Sequence, residues 1–379
     1  MAQLVCLDVL QGPELAQLLE AIWSRGDAAC VLDPRLRGPA RDAQLAALAP
    51  TRRIRRDGVE VAEPGGAEVD AGDALVVATS GSTSWPRAVV LTHEAVAASA
   101  RATSARLEVD ATTDKWLCCI PCAHIGGLSV VARALHTSTP LEIHPGFDPD
   151  AVADAAARGA TLVSLVAAAL RRVAEPLAFR RVVLGGAAPP ASPPTNAVVT
   201  WGMTETGSGV VYDGRPLDGV EVATLDGELY VKGPMLARSY RDGAAIDDAG
   251  PDGARGWLRT GDAGEVRDGC VTVHGRLADV INTGGEKVWP SEVEAVVSTH
   301  PMVAEVAVWR RDDEQWGQRV VAWVVPAESA PTLDALRALV SERLAPWAAP
   351  KELVLVDALP RTPSGKVLRR RLDGSADTA

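Results

Sequence analysis

A loop dense in hydroxyl and glycine residues follows an apolar run in the segment VVATSGSTSWPRAVVLTH, residues 76–93. Backbone N–H groups in such a loop can point inward and bind an anion, and side-chain hydroxyls add further donors. An arginine at its end would add a charged, bidentate contact. The spacing does not match G-x-x-x-x-G-K-[ST], so this is not a Walker-type loop. Taken alone, the segment is more often a plain turn; as a phosphate loop it would use Thr79, Ser80, Gly81, Ser82, Thr83 and Arg87.

Two polar, glycine-punctuated segments farther along the chain offer groups that suit a flat ring and a metal. The segment LGGAAPP, residues 184–190, has glycines that would let a ring lie against the backbone. The segment WGMTETGSG, residues 201–209, places an aromatic ring at Trp201 for stacking. In the same segment, Thr204 and Glu205 supply hard oxygen ligands of the kind that Mg2+ prefers.

Two more segments each present one charged residue. Asp262 in LRTGDAGEV has a carboxylate that can accept hydrogen bonds from both hydroxyls of a ribose. Lys366 in PRTPSGKVLRR lies on a loop held by Pro363 and Gly365. Each segment is a weak signal alone, but all of them follow predicted strands, where α/β sheets bind their ligands.

The elements that must position these loops alternate up to about residue 210. Short apolar runs typical of strands are followed by segments with helical periodicity, and this alternation favours layered α/β sheets with loops at the strand ends. Strands are predicted in ALVVATSG, KWLCCIPC, TLVSLV, RRVVLGGAA and NAVVTWGMTE, and helices in HEAVAASARATSARL, PDAVADAAARGA and AAALRRVA.

The pattern changes twice after residue 210. Up to Arg276, short β-rich runs separated by Asp-Gly turns indicate a small antiparallel or distorted-barrel unit. Beyond it, a Ser291 to Glu294 capping box, the paired-strand patterns AEVAVWRR and RVVAWVVP and the helical TLDALRALVSERLA indicate an α+β unit. We therefore predict an α/β N-terminal domain of residues 1–276, with its β-rich subdomain at about 210–276, and an α+β C-terminal domain of residues 277–379.

Composition excludes several classes of protein. The 379 residues are 47% hydrophobic and carry a formal net charge of -11, which disfavours nucleic acid or an anionic membrane as the main partner. No apolar run approaches the roughly 20 residues that span a bilayer, and the first residues lack a signal-peptide pattern. We expect a cytoplasmic protein without stable membrane insertion.

The cysteines do not predict chemistry. Six of them at irregular spacing do not form a disulfide framework in a chain this long. Cys119 and Cys122 form one C-x-x-C, and because a zinc site needs about four ligands, small buried apolar residues are favoured over half a zinc site. The N-terminal seventy residues carry no motif that predicts chemistry.

The five polar segments in this order resemble the adenylate-forming superfamily, which contains acyl- and aryl-CoA ligases, luciferases and adenylation domains of peptide synthetases. The resemblance runs from about residue 74 to the C-terminus. The segment ETGSGVVYDGRPLDGVEV and the short chain look most like the actinobacterial o-succinylbenzoate-CoA ligases of menaquinone biosynthesis. Two alternatives stay open: another aryl- or acyl-CoA ligase, or a degenerate relative that binds an acyl-adenylate with weak turnover.

The resemblance implies two half-reactions. ATP activates an aromatic carboxylic acid as an acyl-adenylate with release of pyrophosphate, and the thiol of CoA then displaces AMP. The implied partners are the small carboxylate, ATP, Mg2+ and the co-substrate CoA, and a homodimer is compatible with the pattern. The implied catalytic residues are Lys366, Glu205 and His124, with Thr204 and Glu205 as metal ligands. The implied nucleotide-binding residues beyond loop 79–87 are Gly185, Gly186, Ala187, Trp201, Gly202, Met203, Thr204, Asp262 and Arg276.

The resemblance also implies where the acyl group and CoA bind. His124 in PCAHIGGLS falls where related ligases have an aromatic or histidine gate, and the segment lacks the Asp with which amino-acid-activating relatives hold an ammonium group. The C-terminal domain is expected to rotate between the two steps, bringing NTGGEKVWP to the pantetheine tunnel. The implied acyl and CoA contacts are His124, Gly126, Ser208, Gly209, Gly284 and Gly285. For the second carboxylate of the substrate, Arg133 and Arg171 both stay candidates.

The chain departs from the family pattern at two places. The usual loop ending T-G-x-P-K-G is replaced by a segment with Ser84, Arg87 and Ala88, which should alter phosphate geometry because arginine is larger and alanine restricts the backbone. The hinge position, usually Asp or Lys, is Ala278.

Overall fold

A computed structural model describes residues 2–79, 86–187, 189–190, 192–361 and 367–372. Within these ranges the chain forms two seven-stranded and two five-stranded sheets. The predicted α/β class is confirmed.

The first sheet has parallel central strands and antiparallel edges. Its strands are β1 (Leu4–Leu7), β2 (Ala28–Val31), β3 (Arg52–Ile54), β4 (Glu60–Ala62), β5 (Asp73–Ala78), β6 (Ala88–Thr92) and β16 (Ser239–Tyr240). They lie in the order β16-β6-β5-β2-β1-β3-β4. The strand β5 therefore lies beside β2, and β6, which follows it in the chain, pairs antiparallel with β5 on the other side.

The second sheet brings the strand ends of the other predicted site segments together. Its strands are β7 (Trp116–Cys118), β8 (Leu141–Ile143), β9 (Leu162–Leu165), β10 (Arg181–Leu184), β11 (Ala197–Met203), β12 (Ser208–Tyr212) and β13 (Arg215–Pro216). In the order β13-β12-β11-β10-β9-β7-β8, the strands from β11 to β8 are parallel. Their carboxyl ends consequently meet at one edge of the sheet.

Two smaller sheets follow. The third is antiparallel and consists of β14 (Glu221–Leu225), β15 (Glu228–Lys232), β17 (Asp247–Asp248), β18 (Trp257–Arg267) and β19 (Cys270–Arg276). The fourth consists of β20 (Ile281–Thr283), β21 (Glu286–Val288), β22 (Val303–Asp313), β23 (Gly317–Pro326) and β24 (Glu352–Leu355). The short 3-10 turn Leu277–Asp279 joins the two sheets.

The described helices cover the sheets. They are α1 (Glu14–Ser24), α2 (Gly38–Leu48), α3 (His93–Arg106), α4 (Ile125–Thr137), α5 (Pro149–Ala157), α6 (Ala167–Leu170), α7 (Pro290–Val297) and α8 (Leu333–Arg343). Side-chain caps on backbone amides start three of them, from Thr92, Asp148 and Thr332. No helix of the described residues is long and apolar enough to cross a membrane.

One hydrophobic core joins the first three sheets through α3 and α4. It contains Val77 and Leu91 from the first sheet, Trp116 from the second and Leu258 from the third, all nearly or fully buried. The fourth sheet packs α7 and α8 over a core of its own. The domain limit at residues 276 and 277 stays a prediction; strands before it belong to the first three sheets and strands after it to the fourth.

Most predicted elements are confirmed, and two local predictions are wrong. The helix predicted over AAALRRVA covers only Ala167–Leu170. The capping box also fails, because tertiary contacts engage both of its side chains. Ser291 donates its hydroxyl to the carbonyl of His274, and Glu294 accepts from the amide of Val308 at 2.8 Å.

Candidate active site

The ends of the predicted phosphate loop meet at the carboxyl end of β5. The amide of Thr79 donates to the carbonyl oxygen of Arg87 at 2.7 Å, and its hydroxyl reaches the same oxygen at 3.2 Å. The loop is thus closed at its base. Ser80, Gly81, Ser82 and Thr83 lie outside the described residues.

Arg87 and Glu205, predicted to serve phosphate and metal, lie on either side of one tyrosine. The guanidinium of Arg87 stacks on the ring of Tyr240 at 3.6 Å and contacts the carboxylate of Asp242 at 3.0 Å. The hydroxyl of Tyr240 donates to Glu205 Oε1 at 3.0 Å. Burial, with the charge and hydrogen bond of Glu205, raises the pKa of Tyr240 to about 12, so the hydroxyl remains a donor. Sequence reasoning missed Tyr240 and Asp242.

The surroundings of Glu205 fit a magnesium site of the type that substrate phosphates complete. In the part of the chain that the structure describes, no group of three or more His, Cys, Asp or Glu side chains is placed to hold a metal ion alone. Mg2+ is usually bound by one or two carboxylates together with phosphate oxygens and water. Glu205 and Thr204 share the 3-10 turn Thr204–Thr206, which lies between β11 and β12 of the second sheet.

Trp201, Asp262 and Arg276 form one cluster. The indole N–H of Trp201 donates to Asp262 Oδ2 at 2.8 Å, and Arg276 Nε contacts Asp262 Oδ1 at 2.8 Å. Asp262 and Arg276 are directly opposite each other on β18 and β19, which explains their pairing. Sequence analysis gave Trp201 a stacking role; in the structure its N–H also orients the carboxylate.

Gly185, Gly186 and Ala187 follow β10 at the same sheet edge. The neighbouring strand approaches closely, because a Cβ added to Gly185 would lie 2.8 Å from the hydroxyl oxygen of Thr200. That hydroxyl donates to the carbonyl of Leu184 at 3.0 Å. Packing against Thr200 is therefore a second reason for glycine at position 185.

The turn that carries Thr204 and Glu205 is closed by an unusually tight contact at Gly202. A Cβ at this position would lie 2.1 Å from the carbonyl oxygen of Ser208 on β12. Gly202 and Gly209 are register partners across this hairpin. Only glycine allows the two strands to approach so closely.

Gly202→Ala is expected to destabilise the protein by about 1–3 kcal/mol, because β11 and β12 must separate to admit the methyl group. Urea unfolding measures this loss. Gly146→Ala is the control, since an added Cβ there has nothing within 4 Å. Equal unfolding midpoints for the two variants would contradict the expectation.

A cavity lies between α3 and α4, and an arginine faces it. Arg133 is 3% exposed, and its Nη2 reaches the Ser208 hydroxyl at 3.5 Å, which in turn lies 3.4 Å from the hydroxyl of Ser99. Among the described residues, its Nε and Nη1 have no hydrogen-bond partner, and both are buried. Burial lowers the pKa of this guanidinium. The cavity is lined by Leu75, Leu91, Val96, Ser99, Ala100, Ile125, Ser129, Ala132, Arg133 and Gly207.

The other arginine candidate is placed differently. The side chain of Arg171 is 49% exposed and lies 4.0 Å from Glu305. Arg133 instead shares one face of α4 with Ile125 and Ser129, since residues four apart lie above one another on a helix. The four-residue spacing of Ile125, Ser129 and Arg133 is the sequence signal that would have favoured Arg133.

His124 stands at the N-terminal end of α4, immediately before Ile125 of the cavity wall. Gly126 lies in the first turn of the same helix. The ring of His124 meets two residues that sequence analysis left without a role: Nε2 lies 3.2 Å from Arg35 Nη2 and 3.5 Å from Asp33 Oδ2. The conclusion that the N-terminal seventy residues carry no chemistry therefore missed two polar neighbours of a predicted site residue.

The glycines predicted to line the CoA tunnel form a tight turn. Gly284 and Gly285 join β20 to β21 with φ values of 62° and 85°. Two successive positive φ angles are typical of a two-residue hairpin turn, which glycine forms without strain. A Cβ on Gly284 would also lie 2.7 Å from the ring of Trp316.

Lys366 lies outside the described residues, but the chain on both sides of it is anchored. Arg361 contacts Glu305 at 2.9 Å before it. After it, Arg369 forms a bidentate pair with Glu294, at 2.9 and 2.7 Å. Burial raises the pKa of Glu294 against the opposing charge of Arg369. Arg361 is thereby attached to the fourth sheet, and Arg369 to α7.

The chain passes from the third sheet to the fourth directly after Arg276. Ala278 lies in the connecting turn, and its carbonyl accepts from Arg310 at 3.2 Å. His274 Nδ1 lies 3.0 Å from Glu292, and its ring stacks on Trp289. These contacts join the two sides of the predicted hinge.

Comparison with known proteins assigns the family. The protein-family model for the AMP-binding enzyme matches residues 48–241. The family model for the AMP-binding enzyme C-terminal domain matches residues 292–366. A probable 2-succinylbenzoate--CoA ligase of Mycobacterium tuberculosis is 40% identical over 342 residues, covering 82% of this chain and 88% of the relative.

Two solved structures agree with this assignment. The o-succinylbenzoate CoA synthetase of Bacillus subtilis in complex with the acyl-adenylate intermediate has a TM-score of 0.84 at 27% identity, covering 100% of this chain and 88% of that chain. The same enzyme in complex with ATP and magnesium ion has a TM-score of 0.83 at 28% identity, covering 98% and 89%. The resemblance drawn from the sequence is confirmed, and the chain belongs to the AMP-binding enzyme family.

Proposed function

We propose that the protein is an AMP-forming ligase that joins o-succinylbenzoate to CoA at the expense of ATP. The named activity of the relatives supports this reaction. The observation that carries the choice of substrate is Arg133, a buried cation that faces the cavity beside Ser208. The substrate has two carboxylates, so that one can react while the other binds.

Arg133 supports a dicarboxylate because its buried charge has no carboxylate partner among the described residues. A buried ion is costly unless it is paired and hydrogen-bonded. Nε and Nη1 are two donors without acceptors among the described residues. They lie on different edges of the guanidinium, so a carboxylate in the cavity would pair with one of them together with Nη2, in the bidentate geometry that guanidinium favours. The hydroxyls of Ser99 and Ser208 add donors at the same place.

The nucleotide is proposed to bind along the carboxyl ends of the strands. Asp262, which Trp201 and Arg276 hold in position, would accept hydrogen bonds from the ribose hydroxyls. Both carboxylate oxygens already accept one contact, so the ribose would use their remaining lone pairs or displace Arg276. Gly185, Gly186 and Ala187 would frame the adenine, and Arg87 would leave its exposed pair with Asp242 for the phosphates. An exposed ion pair of this kind contributes only about 0–1 kcal/mol, so this exchange costs little.

Magnesium would be held by Glu205 and Thr204 together with phosphate oxygens, and when bound it would neutralise charge on the triphosphate. Tyr240 would orient the Glu205 carboxylate through its hydroxyl. Lys366 is proposed to meet the charge that develops as the substrate carboxylate attacks the α-phosphate. A compact ammonium suits this task.

The second half-reaction is proposed to follow a rotation of the C-terminal domain about the turn Leu277–Asp279. CoA would enter beside the turn at Gly284 and Gly285, and its thiol would attack the acyl carbonyl while AMP leaves. Ala278 has only a methyl group, which restricts such a pivot little. The contacts of His274 with Trp289 and Glu292 would have to break during the rotation.

Pyrophosphate release in the presence of ATP, Mg2+ and a panel of carboxylic acids tests this function, followed by detection of the CoA thioester. We expect release with o-succinylbenzoate and formation of its thioester. Loss of release when magnesium is chelated should accompany it. The panel includes the two analogues in which one or the other carboxylate is removed, simple aryl and acyl acids, and amino acids.

Three results would contradict the proposal in different ways. Release with another aryl or acyl acid alone would keep the ligase activity and change the substrate. Release with amino acids alone would reject the substrate class. Binding of a non-hydrolysable acyl-adenylate without any release would identify a degenerate relative.

A further inference from the structure

The polar contacts of His124 lead to the N-terminal segment rather than to its own helix. Its side chain makes no capping hydrogen bond at the start of α4. Within the described part of the chain, its ring contacts Arg35 Nη2 at 3.2 Å and Asp33 Oδ2 at 3.5 Å. The His124 side chain is 26% exposed, so the ring is partly accessible to solvent.

Asp33 and Arg35 are themselves rigidly held. Asp33 follows β2 and is 1% exposed. Its Oδ1 accepts from the Arg35 amide at 3.0 Å and from Arg35 Nε at 2.8 Å, and its Oδ2 accepts from Nη2 at 2.6 Å. Its own amide donates to the side chain of Gln44 on α2 at 2.9 Å. Burial alone would raise the pKa of Asp33, but the hydrogen bonds from Arg35 hold that pKa well below its usual range.

The geometry also selects one form of the ring. A guanidinium has only donors, so the contact between Arg35 and Nε2 is a hydrogen bond only when Nε2 is unprotonated and the neutral ring carries its proton on Nδ1. Asp33 Oδ2 lies 3.5 Å from the same nitrogen, so both residues contact one atom of the ring. The pair therefore restricts both the orientation and the tautomer of His124.

We propose that Asp33 and Arg35 are positioning residues that hold the His124 imidazole at the entrance of the acyl cavity. The inference rests on the proposed function, in which His124 borders the acyl group. His124 directly precedes Ile125, which lines the same cavity as Arg133, so a fixed ring borders the cavity wall at the start of α4.

The kinetic test compares matched substitutions of two aspartates. Asp8 follows β1 as Asp33 follows β2, is 9% exposed and accepts from Arg41 at 2.6 Å, without contacting His124. We expect Asp33→Asn and Arg35→Met each to raise the KM for o-succinylbenzoate about tenfold in the pyrophosphate assay, with the KM for ATP unchanged. Asp8→Asn is expected to leave both unchanged. In a His124→Ala background, Asp33→Asn should have no further effect, because the pair acts through the ring.

A second measurement does not depend on turnover. Nitrogen NMR of the histidines, with His124→Ala to assign the signal, reports the tautomer of His124. We expect the Nδ1–H form in the wild type and a shift toward the Nε2–H form in Arg35→Met. If Asp33→Asn fails to fold, Arg35→Met and Arg35→Lys provide the same comparisons.

Several results would overturn the inference. These are additive effects of Asp33→Asn and His124→Ala, equal behaviour of Asp33→Asn and Asp8→Asn, or an unchanged tautomer in Arg35→Met. A higher KM for CoA with an unchanged KM for the carboxylate would instead assign Arg35 to CoA. A wild-type enzyme inactive on o-succinylbenzoate would contradict the proposed function, while the NMR result would still decide how His124 is held.

Discussion

Replacing Arg133 by Met is expected to lower kcat/KM for o-succinylbenzoate by about 100-fold, the order of loss that follows when a buried charge pair loses one partner. Methionine keeps much of the apolar volume against Trp116, over which the guanidinium lies at 5.0 Å. The loss should fall on the KM for the carboxylate, because the contact is made in the bound substrate as well as in the transition state. Pyrophosphate release measures it.

Stability provides an independent readout of the same substitution. The ligand-free Arg133→Met variant is expected to unfold at higher urea concentration than the wild type, since it removes a buried charge without a carboxylate partner in the described part of the chain. Arg171→Met tests the competing candidate and should alter kcat/KM little, because that side chain is 49% exposed. A larger loss in Arg171→Met, or an equal loss with the substrate analogue that lacks the second carboxylate, would reject the role of Arg133.

Lys366→Ala is expected to lower the rate of adenylation by on the order of 1000-fold, the upper range for removing one preorganised donor from a developing anion. Thioester formation from a supplied acyl-adenylate should stay close to the wild-type rate, because in the proposed rotation the lysine leaves the site before CoA reacts. Single-turnover assays of each half-reaction measure the two rates separately. Arg361→Gln, on the same segment but paired with Glu305, is the comparison and should affect both steps less. Equal loss of both half-reactions in Lys366→Ala would argue against the rotation.

The fold was predictable wherever local periodicity and burial agree. β5, β9 and β10 are short, mostly apolar runs, and α3 follows a capping threonine, so the local sequence pattern located them. The capping box at Ser291 failed because the hydroxyl binds a carbonyl of another sheet, a contact that no local pattern reveals. The short α6 failed because the helical pattern continues beyond the point where the chain turns.

The same distinction between local and distant contacts explains which residues of the candidate site could be predicted. Glycines and charged residues at strand ends, such as Asp262 and Glu205, could be found because their segments are contiguous. Tyr240 and Asp33 could not, since each reaches the site from a strand or loop distant in sequence. Arg133 is preferred over Arg171 because its side chain is buried. Helix periodicity indicates this burial only through the face of α4 that Arg133 shares with Ile125 and Ser129.

The exposure of one cysteine makes this chain suitable for optical study. All six cysteines lie in the described ranges, five are buried and Cys270 is exposed. Burial raises the pKa of the Cys119 thiol to about 12 and also raises that of Cys30, so these thiols resist alkylation at neutral pH. A maleimide dye should thus attach at a single place in the unmodified protein. Cys270 begins β19, the strand that ends at Arg276, so the dye would label the strand that leads into the proposed pivot, about 20 Å away from it.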